Sequence, residues 1–237
     1  MKTFNKALQS VAFTAILATT AFCGSANASS ENAVKLLTAN FEPREVVQVE
    51  VGDFHFVPGQ VAPIHTHAAP AVGYVAKGSI IYQVEGEKPQ VLRTGDAFFE
   101  PVNKRILRFD NASATEEAIF LDFNLQQVGE PFIIFEKAPT EAIDRRTLPT
   151  IDLDDKIVDQ VSVYAADLIA GGEISLETSE PTLGVVAEGI VEIRVEGQKT
   201  LRVIAGNSFS IPSSTDKATI VNTSSEVPAK VITFLVN

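Results

Sequence analysis

The sequence predicts an all-β protein made of two tandem copies of one barrel-like module. Past residue 40 the chain reads as short segments of alternating character, among them EVVQVEV, AIFLDFNL, EGIVEIRVEGQ and AKVITFLV, broken by Gly, Pro and Asn. Alternation with period two, at this spacing, indicates a sandwich or barrel rather than βαβ units. The chain also matches itself. Fifteen of the 51 residues from 73 to 123 are identical to those standing 111 further on, so that GYVAKG at 73–78 answers GVVAEG at 184–189 and VEGEK at 84–88 answers VEGQK at 195–199. Self-similarity at one fixed offset is the mark of a duplicated structural unit. The repeated Gly and Pro residues, Gly78/Gly189, Gly95/Gly206 and Pro101/Pro212, fall where strands end and turns begin.

Taken in order, the chain opens with Lys2 and Lys6, an apolar stretch through Phe22, and Ala26-Asn27-Ala28. This is the pattern of a secretory signal cut before Ser29, so residues 1–28 are expected to be removed and the protein exported, to a periplasm or the medium. The apolar run is too short and too interrupted for a comfortable membrane span. Cys23 offers a lipoprotein anchor as a rival, against which stands the bulky Phe22 beside it. Cleavage leaves 209 residues and takes away the only Cys and the only Met, so the mature chain has no disulfide to rely on. The formal charge of −11 becomes about −13 in the mature chain, since two lysines and no acid are lost. So acidic a chain, with no basic patch, is not expected to bind nucleic acid. Helix is expected only near SENAVKLLTAN, residues 30–40. The first module then runs to residue 138, the join lies in the charged, proline-bracketed segment 139–150, and the second module covers 151–237.

The first module carries a recognisable pattern. Gly59, QVAPI, His65-Thr66-His67, AAP, Ala71 and, six residues later, Gly78 follow one another, and further on come Gly95, DAFFE, Pro101, Asn103 and Asn111. In type and spacing this resembles the cupins, double-stranded β-helix (jelly-roll) barrels whose two motifs supply three histidines and a glutamate to a metal. The resemblance covers roughly residues 45–135, and the duplication implies a bicupin. It implies His65 and His67 as ligands of a divalent first-row metal such as Fe, Mn, Ni, Zn or Cu. It also exposes gaps: Ala71 stands at the glutamate position, Asn103 at a glycine, and the third histidine falls at Ile106 or Leu107. In the second module Thr178 and Glu180 take the His-x-His positions and no histidine follows, so no metal site is expected there.

Two imidazoles alone hold a divalent ion weakly, so other donors are needed to compete with hydration. Asp122, a lone acid in the apolar strand AIFLDFNL, needs a partner or a wet cavity. Tyr82 alternates with Ile80 and Val84 on the face expected to point inward, and His55 either lines the pocket or packs between Phe54 and Phe56. Lys104, Arg105 and Arg108 either meet an anionic ligand or form a solvated loop. Two functions stay open: a non-catalytic exported protein binding a small polar molecule, or a metal-dependent dioxygenase, isomerase or lyase with a reduced His/His/carboxylate site, acting on a small carboxylate, sugar or aromatic. Assembly is expected as a monomer with paired barrels or as a homodimer.

Overall fold

The computed structural model describes residues 33–176, 179–213 and 217–237; the expected signal segment, with Cys23, and Thr178 lie outside them. All regular elements among the described residues are strands. The first repeat contributes β1 (Ala33–Phe56), β2 (His65–Thr66), β3 (Ala71–Lys77), β4 (Ser79–Val84), β5 (Gln90–Arg93), β6 (Ala97–Glu100), β7 (Ile106–Asn111), β8 (Ala118–Gln126) and β9 (Ile134–Phe135). The second contributes β10 (Asp144–Thr147), β11 (Ile151–Leu168), β12 (Glu173–Leu176), β13 (Thr182–Glu188), β14 (Ile190–Val195), β15 (Leu201–Ile204), β16 (Ser208–Ile211), β17 (Ala218–Asn222) and β18 (Ala229–Val236).

One nine-stranded sheet runs through both barrels in the order β16-β13-β18-β11-β1-β8-β3-β6, with β10 added on β1. A five-stranded sheet, β5-β4-β7-β2-β9, closes the first barrel and a four-stranded sheet, β12-β17-β14-β15, closes the second. The long strands exchange ends reciprocally. Ala33–Lys35 of β1 pair with Tyr164–Ala166 of β11, while their repeat mates Asp144–Arg146 in β10 pair with Asp53–His55 of β1. The segment at 139–150, expected as a join, therefore contains a strand of the shared sheet. The helix expected over residues 30–40 is a correction: from Ala33 onward it is the start of β1. Local helix preference yields because the second repeat offers this segment a strand partner, and cross-strand packing outweighs intrinsic preference.

Alternation divides the apolar residues among three cores. Val75, Ile80, Ile106, Phe109 and Phe120 lie in the first barrel, and Val186, Val191, Ile193, Ile220 and Val231 in the second. The opposite faces of the shared sheet meet in a third core, where Val51, Leu121, Phe123 and Leu125 pack against Val163, Ile232, Phe234 and Val236. Phe123 and Phe234, exact repeat mates, touch with ring centroids 4.2 Å apart at the pseudo-twofold axis. β8 is thus buried on both faces, which is why AIFLDFNL is so apolar. Asn111 holds its barrel's corner by placing its amide within hydrogen-bond reach of the Phe56, Val57 and Glu116 carbonyls; Asn222 does the same to Leu168, Ile169 and Val227.

Candidate metal centre

Residues two apart in an extended segment share a face. Thus His65 and His67 both point into the first barrel, and β6 sends in Phe98 and Glu100, β8 Phe120, Asp122 and Asn124. Ala71, at the position where the motif has its glutamate, is paired across the ladder with Glu100. Directly paired residues carry Cβ atoms about 5 Å apart, so a carboxylate on β6 occupies the space that a glutamate on β3 would fill. Ala71 is fully buried and small enough to leave that space open. The missing third histidine lies at Ile106, the inward residue, which is paired with His65 and sits in the barrel core. Asn103 keeps the backbone of the glycine it replaces, with φ 56°, a conformation asparagine tolerates better than most residues.

His65, His67 and Glu100 are all buried and offer ligand atoms within 4.8 Å of one another, the one such cluster among the described residues. Glu100 oxygens lie 3.5 Å from His65 Nε2 and 3.2 Å from His67 Nε2. Nitrogen and oxygen ligands at about 2.0–2.2 Å from a common ion stand about 3–3.5 Å from one another, so the spacing fits a metal. The imidazoles are oriented from behind: His65 Nδ1 lies 2.9 Å from the Pro63 carbonyl and His67 Nδ1 2.8 Å from that of Phe132. Donating Nδ1–H to these carbonyls leaves both Nε2 lone pairs facing Glu100. Asn124 also donates to the Phe132 carbonyl, at 3.3 Å. His67 Nε2 and Glu100 Oε1, though buried, have no hydrogen-bond partner. Each offers an electron pair and neither a proton, which is what a coordinated cation between imidazoles and carboxylate would satisfy.

The electrostatics agree with a charged centre. Burial alone would lower the His67 pKa, but the Glu100 carboxylate outweighs it and raises the imidazole to about 9. Burial would raise Glu100, and the positive charge of a protonated His67 beside it holds it below the usual carboxylate range instead. Asp122, which has no counterion in contact, is pushed up to about 7 by burial and by Glu100.

These groups line one cavity, whose free space is about 20 Å³, room for about one water molecule. Phe54, Phe56, Phe109 and Phe120 form the barrel side, and Ile133, Phe135 and Ile143 close it from the segment after β8. Asp122, expected as a pocket residue, lies in this wall, with Oδ1 unpartnered; the carboxylate grouped with the histidines is Glu100. Tyr82 is buried inside the barrel but does not line the cavity, donating its hydroxyl to the Phe99 carbonyl. His55, on the opposite face from Phe54 and Phe56, sits 3.3 Å from Glu117 and 3.3 Å from Asp53, away from the cavity. Arg105 pairs with Glu85 and Glu136, and Arg108 with Asp110. In the second barrel Glu180 bonds Lys156.

Glu100 is the residue that sequence reasoning passed over. It occupies a variable position of the second motif, and the available signal was its parity: in AFFE it shares the inward face with Phe98.

Fold and site define a paired jelly-roll barrel with a two-histidine, one-carboxylate cluster in its first half. Residues 52–124, which fall within the first barrel, match the family model described as a cupin domain. No curated protein matches the sequence. Among solved structures, AerE from Microcystis aeruginosa is similar over 86% of this chain and 98% of its own, at 16% identity and TM-score 0.57. The salicylate 1,2-dioxygenase of Pseudaminobacter salicylatoxidans is similar over 80% of this chain and 71% of its own, at 14% identity and TM-score 0.54. Vicilin from Capsicum annuum is similar over 81% and 76%, at 15% identity and TM-score 0.59. At such identities the likeness concerns the fold.

Proposed function

We propose that this is an exported, metal-dependent bicupin enzyme whose first barrel holds one divalent first-row ion on His65, His67 and Glu100, the second barrel being its structural partner. The observation that carries this reading is the buried cluster of two oriented imidazoles and one carboxylate, in which His67 Nε2 and Glu100 Oε1 have no hydrogen-bond partner. Two histidines and a carboxylate on one side of an ion leave positions open for a small molecule, the donor set of non-haem oxygenase sites. When bound, the ion supplies Lewis acidity and, if redox-active, electron transfer to a coordinated ligand. The chain's own residues do the rest. The Pro63 and Phe132 carbonyls fix the imidazole orientation, the phenylalanine wall excludes water, and Asp122 stands in the same cavity as a group able to hold or release a proton near neutrality.

Metal content, measured by mass spectrometry on mature protein purified without affinity histidines and then dialysed, tests this directly. The expected result is about one ion per chain, lost in His65→Ala/His67→Ala. A wild-type protein that takes up no zinc, manganese or iron would refute it. A second reading, a metal-free binding protein, is favoured by one feature: His67 and Glu100 are able to neutralise each other as an ion pair without any metal. An exported chain is also expected to yield protein beginning at Ser29, which N-terminal sequencing of the purified material reads.

A further inference from the structure

We propose that the ligand of this centre is a small aromatic or otherwise apolar molecule bearing one oxygen donor, rather than a sugar or a phosphate ester. The inference rests on the metal reading for where the oxygen goes and on the cavity wall for what the rest of the ligand is. Besides His65, His67, Glu100 and Asp122, every residue of the wall is a phenylalanine, an isoleucine or an alanine. No lysine or arginine lines it, nor any serine, threonine, asparagine or glutamine.

Those absences discriminate by chemistry. A sugar carries a hydroxyl on nearly every carbon, and each one buried without a partner weakens binding. Once the metal has taken one or two, Asp122 remains to satisfy the others. A phosphate dianion would have the ion as its sole cation while facing Glu100 and Asp122. An aromatic ligand meets neither penalty. The barrel rings already form an edge-and-face cluster around Phe120, whose centroid lies 4.7 Å from Phe109, 4.8 Å from Phe54 and 5.0 Å from Phe56, and another ring extends that arrangement. A single oxygen on such a ligand would complete the coordination of an ion held by His65, His67 and Glu100, and Asp122 Oδ1, buried and unpartnered, is free to bond it.

Access comes from the side formed by residues 127–143. This stretch links the end of β8 to the start of β10. It carries Ile133, Phe135 and Ile143, all half-buried, and is pinned from outside by Arg105 on Glu136 and by Gln60 on the Ala142 carbonyl. The rings of β1, β7 and β8 are fixed by their sheets and Phe135 by the pairing of β9 with His65, whereas Ile133 and Ile143 lie outside strands. A ligand larger than water would have to displace Ile133 and Ile143.

The chain contains no tryptophan, so the fluorescence of 2-naphthol reports binding without protein background. Zinc-loaded wild-type protein, its metal content measured on the same sample, is titrated with 2-naphthol and by calorimetry with glucose and glucose 6-phosphate. The expected result is saturable 2-naphthol binding at one site, undisturbed by either sugar. Ala62→Leu, which fills the cavity, is expected to weaken it at least tenfold with zinc content unchanged. Phe135→Ala, on the half-buried outer wall, is the second variant should Ala62→Leu misfold, and is expected to shift the affinity several-fold. Zinc bound one to one with no saturable 2-naphthol binding, or with either sugar binding in its place, overturns the inference while leaving the metal centre intact. 2-Naphthol binding that is sensitive to Ala62→Leu in protein that takes up no zinc supports the apolar pocket and refutes the metal centre.

Discussion

The two barrels share a backbone and differ in what fills them. Position by position, Glu100 answers Ile211, Asp122 answers Thr233, Asn124 answers Leu235, Tyr82 answers Ile193, and Phe109 and Phe120 answer Ile220 and Val231. What is retained is architectural: Gly73 and Gly184 lie flat beneath Phe98 and Phe209, whose rings would sit 2.0 and 2.1 Å from an added Cβ. Asn111 and Asn222 tie the same corner. The first barrel thus accepts four buried ionisable groups, His65, His67, Glu100 and Asp122, and orphaned polar atoms where the second packs residues such as Ile211, Thr233 and Leu235. Burying charge costs stability unless something compensates it, and the duplication places that cost in one half while the other supplies a rigid, ordinary core. The comparison teaches that the polar layer of the first barrel is not demanded by the fold, since the same fold is built without it.

The largest expected effect breaks the molecule where the halves are equal. Phe123→Ala and Phe234→Ala each open a cavity in the core between the sheets and are expected to cost about 3–5 kcal/mol, by similar amounts, read from urea unfolding. A large inequality would show that one barrel stands without its partner. The next effect falls where the halves differ. Glu100→Ile installs the second barrel's residue in the first and is expected to lower metal affinity at least 100-fold, about 2.7 kcal/mol, while the protein still folds, because Ile211 shows that the backbone accepts it. Retention of stoichiometric, tight metal would move the carboxylate role to Asp122.

The division of labour between fold and site was unequally visible in the sequence. The β class and the duplication were legible because alternation and turn residues are local, and because two copies of one pattern corroborate each other. The exchange of β1 and β10 was not. Residues 33–40 have a partner only once the second repeat is folded beside them, which is why a helix was expected there. For the site, His65 and His67 stood at a recognisable spacing, but the carboxylate was sought on the same strand as its motif position, at Ala71, or in the conspicuous apolar strand at Asp122. Its transfer to Glu100 depends on the pairing of β3 with β6, a register that no linear spacing expresses. His55 was ambiguous for a simpler reason, since parity within β1 settles its direction only when the frame of that strand is known.

A smaller change sharpens the comparison within the support of the ligands. Asn124, answered by Leu235 in the second barrel, shares the Phe132 carbonyl with His67. Asn124→Leu is expected to reduce metal affinity about tenfold or somewhat more, as loss of an outer hydrogen bond around a metal usually does, with little change in the content measured at saturating metal. Isothermal titration separates the two quantities, and an unaltered affinity would assign Asn124 to packing alone.

The gentlest test changes only pH. In the metal-free protein His67 is protonated up to about 9 because Glu100 holds its proton in place, whereas a metal requires the neutral imidazole. Binding therefore releases a proton below that pH, and the apparent affinity is expected to rise about tenfold per unit between pH 7 and 8 and to level off near 9. The sign for folding is opposite. A histidine whose pKa is raised in the folded state stabilises it fully below the unfolded value and loses that contribution as pH climbs through about 9, so the metal-free protein is expected to weaken over the range in which the metal-bound one gains. Thermal melts with and without zinc across pH 6.5–9 read both trends at once. Curves that run parallel would mean that His67 exchanges no proton for a metal, and the polar layer of the first barrel would then be a buried ion pair with no ion to hold.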